Sequence, residues 1–107
     1  KNIKIAVGSA SKNTPLILEK TGLAGLPDAV SCGLDTQKPK PEPEVFLIAA
    51  DRLGIPYAEC LVIEDSDAGV QAAKAGGMRV LAVSAAKNNL QADYRADNLE
   101  VLAYEYI

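Results

Sequence analysis

Histidine is absent from this chain of 107 residues, and aromatic residues make up only 5% of it. Histidine is the commonest general base near neutral pH and a frequent zinc ligand. A Ser-His-Asp or Cys-His mechanism within this chain is therefore excluded. Any chemistry has to come from carboxylates, lysines, hydroxyls, backbone amides and a hard metal ion.

Long apolar runs, basic runs and clustered cysteines are missing too. No apolar stretch reaches the length of a membrane span and no signal peptide is present, so we expect a cytoplasmic protein without a membrane partner. A net charge of −3 and few aromatics argue against nucleic acid as a partner. Cys32 and Cys60 lie at predicted strand edges rather than in a CxxC pair, which favours reduced packing cysteines.

Apolar runs alternate with helical patterns along the chain. The pattern predicts strands at residues 3–7, 29–32, 60–63 and 79–83. It predicts helices after residue 13, from residue 43 to 53, around residues 68–75 and at residues 99–106. This alternation is typical of an α/β fold, a three-layer parallel sheet with helices on both faces. We interpret residues 1–107 as a single α/β domain.

Glu64 and Asp65 form an adjacent pair of carboxylates directly after an apolar run. The run predicts a buried strand, and open α/β sheets place ligands at the carboxyl ends of such strands. An uncompensated pair repels itself, which raises the pKa of at least one carboxyl group. Mg²⁺ is the usual compensation, because it prefers carboxylate and water oxygens. The plain alternative is that one carboxylate caps the next helix and both stay solvated.

A turn of small polar residues, Gly-Ser-Ala-Ser-Lys-Asn at 8–13, follows the first predicted strand. The free amides of the helix start and the hydroxyl of Ser9 can bind phosphate oxygens, and Lys12 adds positive charge. Such turns are also common simply because Ser and Asn cap helices, so that alternative stays open.

Lys40 lies between two prolines in a loop rich in Pro, Lys and Asp, residues 34–43. The prolines restrict the backbone and hold the lysine near a helix start. There it can neutralise phosphate charge and the acidic pair together, although a solvated loop is the simpler interpretation. Because loops after parallel strands meet at one sheet edge, Ser9, Lys40 and the acidic pair would come together. These are the ingredients of Mg²⁺-assisted phosphoryl transfer.

Three stretches of the chain resemble motifs of the haloacid dehalogenase-like superfamily, in the family's order and at about its spacing. The likeness is greatest to the branch that holds β-phosphoglucomutase and sugar-phosphate phosphatases. Residues 7–13 resemble the second motif, residues 40–46 the third and residues 63–69 the fourth. The resemblance implies a Rossmann-like core acting on small phosphorylated metabolites such as sugar phosphates, as a phosphatase (a hydrolase) or a mutase (an isomerase).

The resemblance also implies roles on the anion side of the site. Ser9 would bind the transferring phosphoryl group, assisted by the amide of Ala10. Asn13 and Lys12 would contact a phosphate or sugar, and Lys40 would bridge the phosphoryl group and the nucleophile. On the cation side, the fourth-motif carboxylates, Glu64 and Asp65, would bind Mg²⁺, one of them through water.

The chain departs from the family at the nucleophile. The family begins with a strand ending in Asp-x-Asp, and no such pattern follows a strand here, since Asp65-Ser66-Asp67 lies inside the fourth motif. The helical cap between the first two motifs is also missing. The chain thus resembles the carboxyl-terminal part of the core, and without a nucleophilic aspartate we expect it to be catalytically incompetent alone.

The missing strand would leave two neighbouring strand edges with unpaired backbone groups. Three outcomes are open: another chain or an amino-terminal segment supplies the strand, partner molecules swap elements, or the flanking strands close up into flavodoxin-like order. Three functions compete as well. The first is part of a phosphotransferase-type enzyme, the second a non-catalytic α/β module that retains a phosphate or metal site. The third is a receiver-like signalling domain, but this chain lacks the acidic pair that receivers need after the first strand.

Overall fold

The predicted alternation of strands and helices is confirmed in the computed structural model, which describes residues 3–97. The predicted helix at residues 99–106 lies outside the described residues. The elements, in chain order, are β1 Ala6–Gly8, α1 Thr14–Lys20, β2 Ala29–Ser31, α2 Glu44–Leu53, β3 Leu61–Glu64, α3 Asp67–Ala75, β4 Arg79–Ala82 and β5 Tyr94–Arg95. Short 3₁₀ turns occupy Tyr57–Glu59 and Ser84–Ala86. The strand β5 was not predicted, because two residues carry no periodicity.

Helix boundaries follow local sequence signals. Helix α2 begins after Pro43 and ends at Gly54, which adopts the left-handed conformation with φ of 71°. Helix α3 is capped by Ser66, whose hydroxyl accepts a hydrogen bond from the amide of Gly69. Asn13 occupies the cap position of α1, but its side chain makes no capping hydrogen bond. The capping explanation for this turn therefore does not apply to Asn13.

All strand pairs in residues 3–97 are parallel, and they form two separate sheets. One sheet pairs β1 with β2, and the other has the order β3-β4-β5. Helix α2 packs on β1 and β2, while α3 packs on β3 and β4, and the two helices contact each other. The described residues therefore confirm an α/β architecture of parallel strands covered by helices.

The closed-up flavodoxin-like order is wrong for this structure, because β1 and β3 do not pair within the described residues. A groove of about 610 Å³ lies between them, with α2 residues such as Phe46 and Ala49 also lining it. Each of the two strands is paired on its other side within residues 3–97, β1 with β2 and β3 with β4. The groove therefore separates the two sheets.

Among residues 3–97, both rims of the groove are strand edges without a pairing partner. Ile5 and Ser9 make their backbone hydrogen bonds with the β2 side, through Asp28 and Ser31. In a parallel strand, alternate residues direct their backbone groups to opposite sides. The backbone groups of the intervening β1 residues, Ala6 and Gly8, therefore face the groove.

The same argument applies to β3. Cys60 and Glu64 accept hydrogen bonds from the β4 side, so the backbone groups of Leu61 and Ile63 face the groove. The groove thus has the hydrogen-bonding character of a vacant strand position, with donors and acceptors along both rims.

The core lies mainly between the sheets and helices α2 and α3. It contains Val70, Val80 and Ala82, which are fully buried, and Leu81 and Val83 form a smaller cluster on the opposite face. Both cysteines are free thiols, as predicted. Within residues 3–97, none of the helices combines the length and apolar character that a membrane crossing requires.

Candidate active site

Glu64 ends β3 and is almost fully buried, with 8% of its surface exposed. Its Oε1 atom accepts three hydrogen bonds, from the amide of Asp65 at 3.0 Å and from the amide and hydroxyl of Ser66 at 3.1 and 3.0 Å. Neither carboxylate of the pair caps α3, because Ser66 does so. The solvated-cap alternative is therefore wrong for Glu64, while Asp65 is exposed.

The Glu64 side chain lies against the first turn of α3, and a glycine makes this approach possible. A Cβ atom added at Gly69 would overlap the Glu64 carboxylate, well inside van der Waals contact. Gly69 is itself buried in the helix. The glycine is thus required by space rather than by its backbone conformation.

Lys40 compensates the charge of Glu64. Its Nζ atom lies 2.9 Å from Glu64 Oε2 and 4.8 Å from the centre of the Phe46 ring. Burial alone would raise the pKa of Glu64, but the hydrogen bond and charge of Lys40, with donors from Ser66 and Asp65, hold that pKa below its usual value. The prediction that Lys40 reaches the acidic pair is confirmed by this contact.

The turn after β1 is tied to the end of β2. The amide of Ser9 donates to Ser31 O at 3.0 Å, and Ser9 Oγ accepts from the amide of Ser11 at 3.2 Å. Gly33 lies so close that an added Cβ would overlap the carbonyl of Ala10. The backbones of the two loops that follow β1 and β2 therefore lie in direct contact, and the amide of Gly33 donates to Ser11 O at 3.2 Å.

A pocket of about 250 Å³ opens where these loops meet the Lys40 loop. Its lining comprises Ala10, Lys12, Gly33, Thr36, Gln37, Pro39, Lys40 and Val45. Three of the predicted site residues, Ala10, Lys12 and Lys40, thus share one pocket, whereas Ser9 and Asn13 lie outside its lining. Two lysines among the lining residues make this pocket suited to an anion.

Sequence reasoning missed Thr36 and Gln37 in this pocket. The loop that carries them is held at two points by carboxylates. Glu44 Oε1 accepts from the amide of Gln37 at 2.6 Å and from that of Lys38 at 3.3 Å. The only indication in the sequence is that Thr36 and Gln37 lie a few positions before Lys40. That spacing does not distinguish a pocket wall from a solvated loop.

Asp35 makes the second attachment. Its carboxylate accepts from Arg52 at 2.9 Å and from the amide of Cys32 at 2.9 Å, and Arg52 also donates to the carbonyl of Val30. The hydrogen bond from Arg52, followed by that from Cys32, lowers the pKa of Asp35 from 3.8 to about 2. The pair connects α2 to the loop that forms one wall of the pocket.

This attachment predicts an acid-dependent stability difference for Asp35→Asn. A folded-state pKa below the unfolded value means that the stabilisation is present above pH 3.8 and is lost as the pH falls through about 2. The difference in free energy of unfolding between wild type and variant should therefore shrink between about pH 5 and about pH 2.5, measured by urea denaturation. Glu42→Gln, at an exposed position, is the control. A difference that stays constant over this range would contradict the prediction.

The carboxylates supply only part of a metal site. The part of the chain that the structure describes contains no group of three or more Asp, Glu or Cys side chains placed to hold a metal ion. Both Glu64 oxygens already have protein partners, which leaves the exposed Asp65 as the available carboxylate of the pair. Residues 3–97 therefore offer one exposed carboxylate at this corner and no complete set of cation ligands.

The described residues combine a parallel α/β fold with a pocket lined by two lysines, next to a lysine–carboxylate pair. The sequence model of the haloacid dehalogenase-like hydrolases matches residues 1–77. The chain belongs to the haloacid dehalogenase-like hydrolase family.

Known relatives agree with this assignment. The chain is 38% identical over 92 residues to β-phosphoglucomutase of Bacillus subtilis (strain 168), covering 86% of this chain and 41% of that protein. It is 39% identical over 74 residues to fructose-1-phosphate phosphatase YqaB of Escherichia coli (strain K12), covering 69% and 39%. These matches confirm the predicted resemblance to the β-phosphoglucomutase and sugar-phosphate phosphatase branch.

The fold agrees with a solved relative as well. The crystal structure of β-phosphoglucomutase from Clostridium difficile superposes with a TM-score of 0.90 at 33% identity, covering 98% of this chain and 47% of that one. The chain therefore spans less than half the length of these relatives.

Proposed function

We propose that this chain supplies the phosphate-binding half of a Mg²⁺-dependent phosphotransferase or phosphatase site that acts on small phosphorylated metabolites such as sugar phosphates. The observation that carries the proposal is the pocket that Ala10, Lys12 and Lys40 line together. Lys40 also forms an ion pair with Glu64. The names of the relatives, β-phosphoglucomutase and fructose-1-phosphate phosphatase, support a sugar phosphate as the substrate class.

The anion side of this site divides into two contributions. Ser9 and the amide of Ala10 bind the phosphoryl oxygens, while Lys12 and Asn13 contact a phosphate or the sugar. Lys40, one of the residues that line the pocket, neutralises the charge of the phosphoryl group. Positioning and charge neutralisation are the main protein contributions to phosphoryl transfer.

The cation side consists of Asp65 as a direct ligand and Glu64 acting through water. A bound Mg²⁺ would neutralise charge on the phosphoryl oxygens and so favour nucleophilic attack. Asp65 is exposed, and its carboxylate makes no hydrogen bond or ion pair with other side chains or amides of residues 3–97, which suits this role.

The nucleophile has to come from a strand in the groove between β1 and β3. The rims present the backbone groups of Ala6 and Gly8 on one side and of Leu61 and Ile63 on the other, so an inserted strand can pair in parallel with both. An amino-terminal segment or a second chain carrying an Asp-x-Asp strand would fill it. The alternative is a non-catalytic module that binds a phosphorylated ligand. The Lys40–Glu64 ion pair favours this alternative, because the pair forms without a nucleophilic residue.

Nuclear magnetic resonance titration with inorganic phosphate and MgCl₂ tests the binding half of the proposal. We expect weak phosphate binding with the largest amide shifts at Ala10, Lys12 and Lys40, and Mg²⁺-dependent shifts at Asp65. Turnover of fructose 1-phosphate or glucose 1-phosphate by the lone chain should stay at background, because the covalent route needs a nucleophilic carboxylate.

A synthetic peptide strand ending in Asp-x-Asp separates the two candidate functions. If the chain is part of an enzyme, the peptide should protect the amides of Ala6, Gly8, Leu61 and Ile63 from exchange and produce measurable turnover. Protection without turnover would favour the binding module. Robust hydrolysis by lone chain of confirmed mass, or no phosphate-dependent shift at the pocket residues, would overturn the proposal.

A further inference from the structure

The Glu64 carboxylate has a complete set of protein partners. Oε1 receives the amides of Asp65 and Ser66 and the Ser66 hydroxyl, at 3.0–3.1 Å, and Oε2 receives Lys40 Nζ at 2.9 Å. Four donors in all converge on this carboxylate, and the one on Oε2 is a cationic ammonium group. The geometry is therefore that of a counterion built into the protein.

We propose that Glu64 is a positioning residue for Lys40, holding the lysine ammonium at the wall of the anion pocket before a ligand arrives. The proposal deepens the proposed function and rests on it, because the benefit of a positioned lysine depends on the pocket binding phosphate. It assigns to Glu64 an effect on anion affinity that is independent of any metal.

The burial of both side chains of the ion pair supports this assignment. The side chains of Lys40 and Glu64 are only 16% and 8% exposed, so the pair is little screened by solvent. The Phe46 ring lies 4.8 Å from Lys40 Nζ and gives the ammonium a second fixed neighbour. The Glu64 carboxylate is itself immobilised by the turn amides, so it can act as a rigid anchor.

Positioning has an energetic consequence for binding. A free lysine side chain has to be ordered when it binds an anion, which costs about 0.5–1.5 kcal/mol for each immobilised side chain. The loop that carries Lys40 is already held by Glu44 through the amides of Gln37 and Lys38. With Glu64 holding the ammonium end, both the backbone and the tip of Lys40 are ordered in advance.

Glu64→Gln tests the proposal because a charge effect and a positioning effect predict opposite changes in phosphate affinity. Removing a negative charge near the pocket should strengthen phosphate binding if only the electrostatic field matters. If Glu64 positions Lys40, the affinity for inorganic phosphate, measured by amide shifts with EDTA present, should fall by about 2- to 12-fold, the ordering cost converted at 1.4 kcal/mol per tenfold. Glu42→Gln is the charge-matched control, since Glu42 lies two residues from Lys40 and is exposed. Unchanged or higher affinity in Glu64→Gln overturns the proposal.

A second readout is independent of phosphate. Heteronuclear NMR of the lysine ammonium groups should show restricted motion of Lys40 in the wild type, compared with the exposed Lys20, and release of that motion in Glu64→Gln or in the charge-preserving Glu64→Asp. A freely rotating Lys40 ammonium in the wild type overturns the positioning role. If Lys40 is restricted but no phosphate binds, the proposed function fails while the positioning of Lys40 stands.

Discussion

Gly69→Ala is expected to lower the free energy of unfolding by about 3 kcal/mol, because overpacking costs about 1–3 kcal/mol and breaking a buried ion pair adds to it. The new methyl group would overlap the Glu64 carboxylate, which has to move away from Lys40 or distort the turn that precedes α3. Helix propensity alone would stabilise the variant by about 1 kcal/mol, so the sign of the effect is diagnostic. Urea denaturation at neutral pH measures it.

Gly25→Ala is the matched control for this substitution. Gly25 is exposed, and an added Cβ there meets no atom within 4 Å. We expect a change within about 0.5 kcal/mol, as for other surface substitutions. A Gly69→Ala protein as stable as wild type, with phosphate affinity intact, would show that the Glu64 side chain has room to relax.

Phe46→Ala is expected to destabilise the protein by about 3–5 kcal/mol, in the range for a large core side chain. Phe46 is the single phenylalanine of the chain and is 6% exposed. It contributes to the core beneath both sheets, lines the groove and lies under Lys40. Its removal would extend the existing groove into the core, so collapse around the cavity offers little compensation.

Phe46→Leu separates packing from the contact with Lys40. Leucine keeps most of the apolar volume, so the loss of stability should be below about 1.5 kcal/mol, while the cation–π contact with Lys40 is lost. We therefore expect phosphate affinity to fall in Phe46→Leu, although this variant keeps most of its free energy of unfolding. Thermal unfolding monitored by circular dichroism gives the first quantity and phosphate titration the second. Equal destabilisation by Ala and Leu would contradict a packing role for the ring.

Local signals in the sequence were sufficient for most of the elements. Pro43 and Gly54 bracket α2, and the apolar run before Glu64 places β3, because proline, glycine and hydrophobic periodicity act over a few residues. The short strand β5 was missed, since its two residues gain their strand conformation only by pairing with β4. Local sequence thus determines most helices and strands, whereas a strand as short as β5 depends on tertiary contact.

The candidate site divides in the same way. That Lys40 would meet the acidic pair could be inferred, since loops after parallel strands gather at one edge. That Glu64 is buried with four donors could not be inferred, because it depends on how its side chain packs against Gly69. The contributions of Thr36 and Gln37 to the pocket depend likewise on Glu44 and on tertiary packing.

The sequence by itself determined the α/β class, the family, and the absence of both histidine and an Asp-x-Asp strand, because each of these is a matter of residue type and spacing. Only the tertiary structure decided that β1 and β3 stay apart and that Lys40 pairs with Glu64. The first depends on which strand edges meet in the folded chain, and the residue pattern that predicts each strand carries no signal for its neighbours. The second follows from burial, which makes a lone carboxylate costly and a paired one stable.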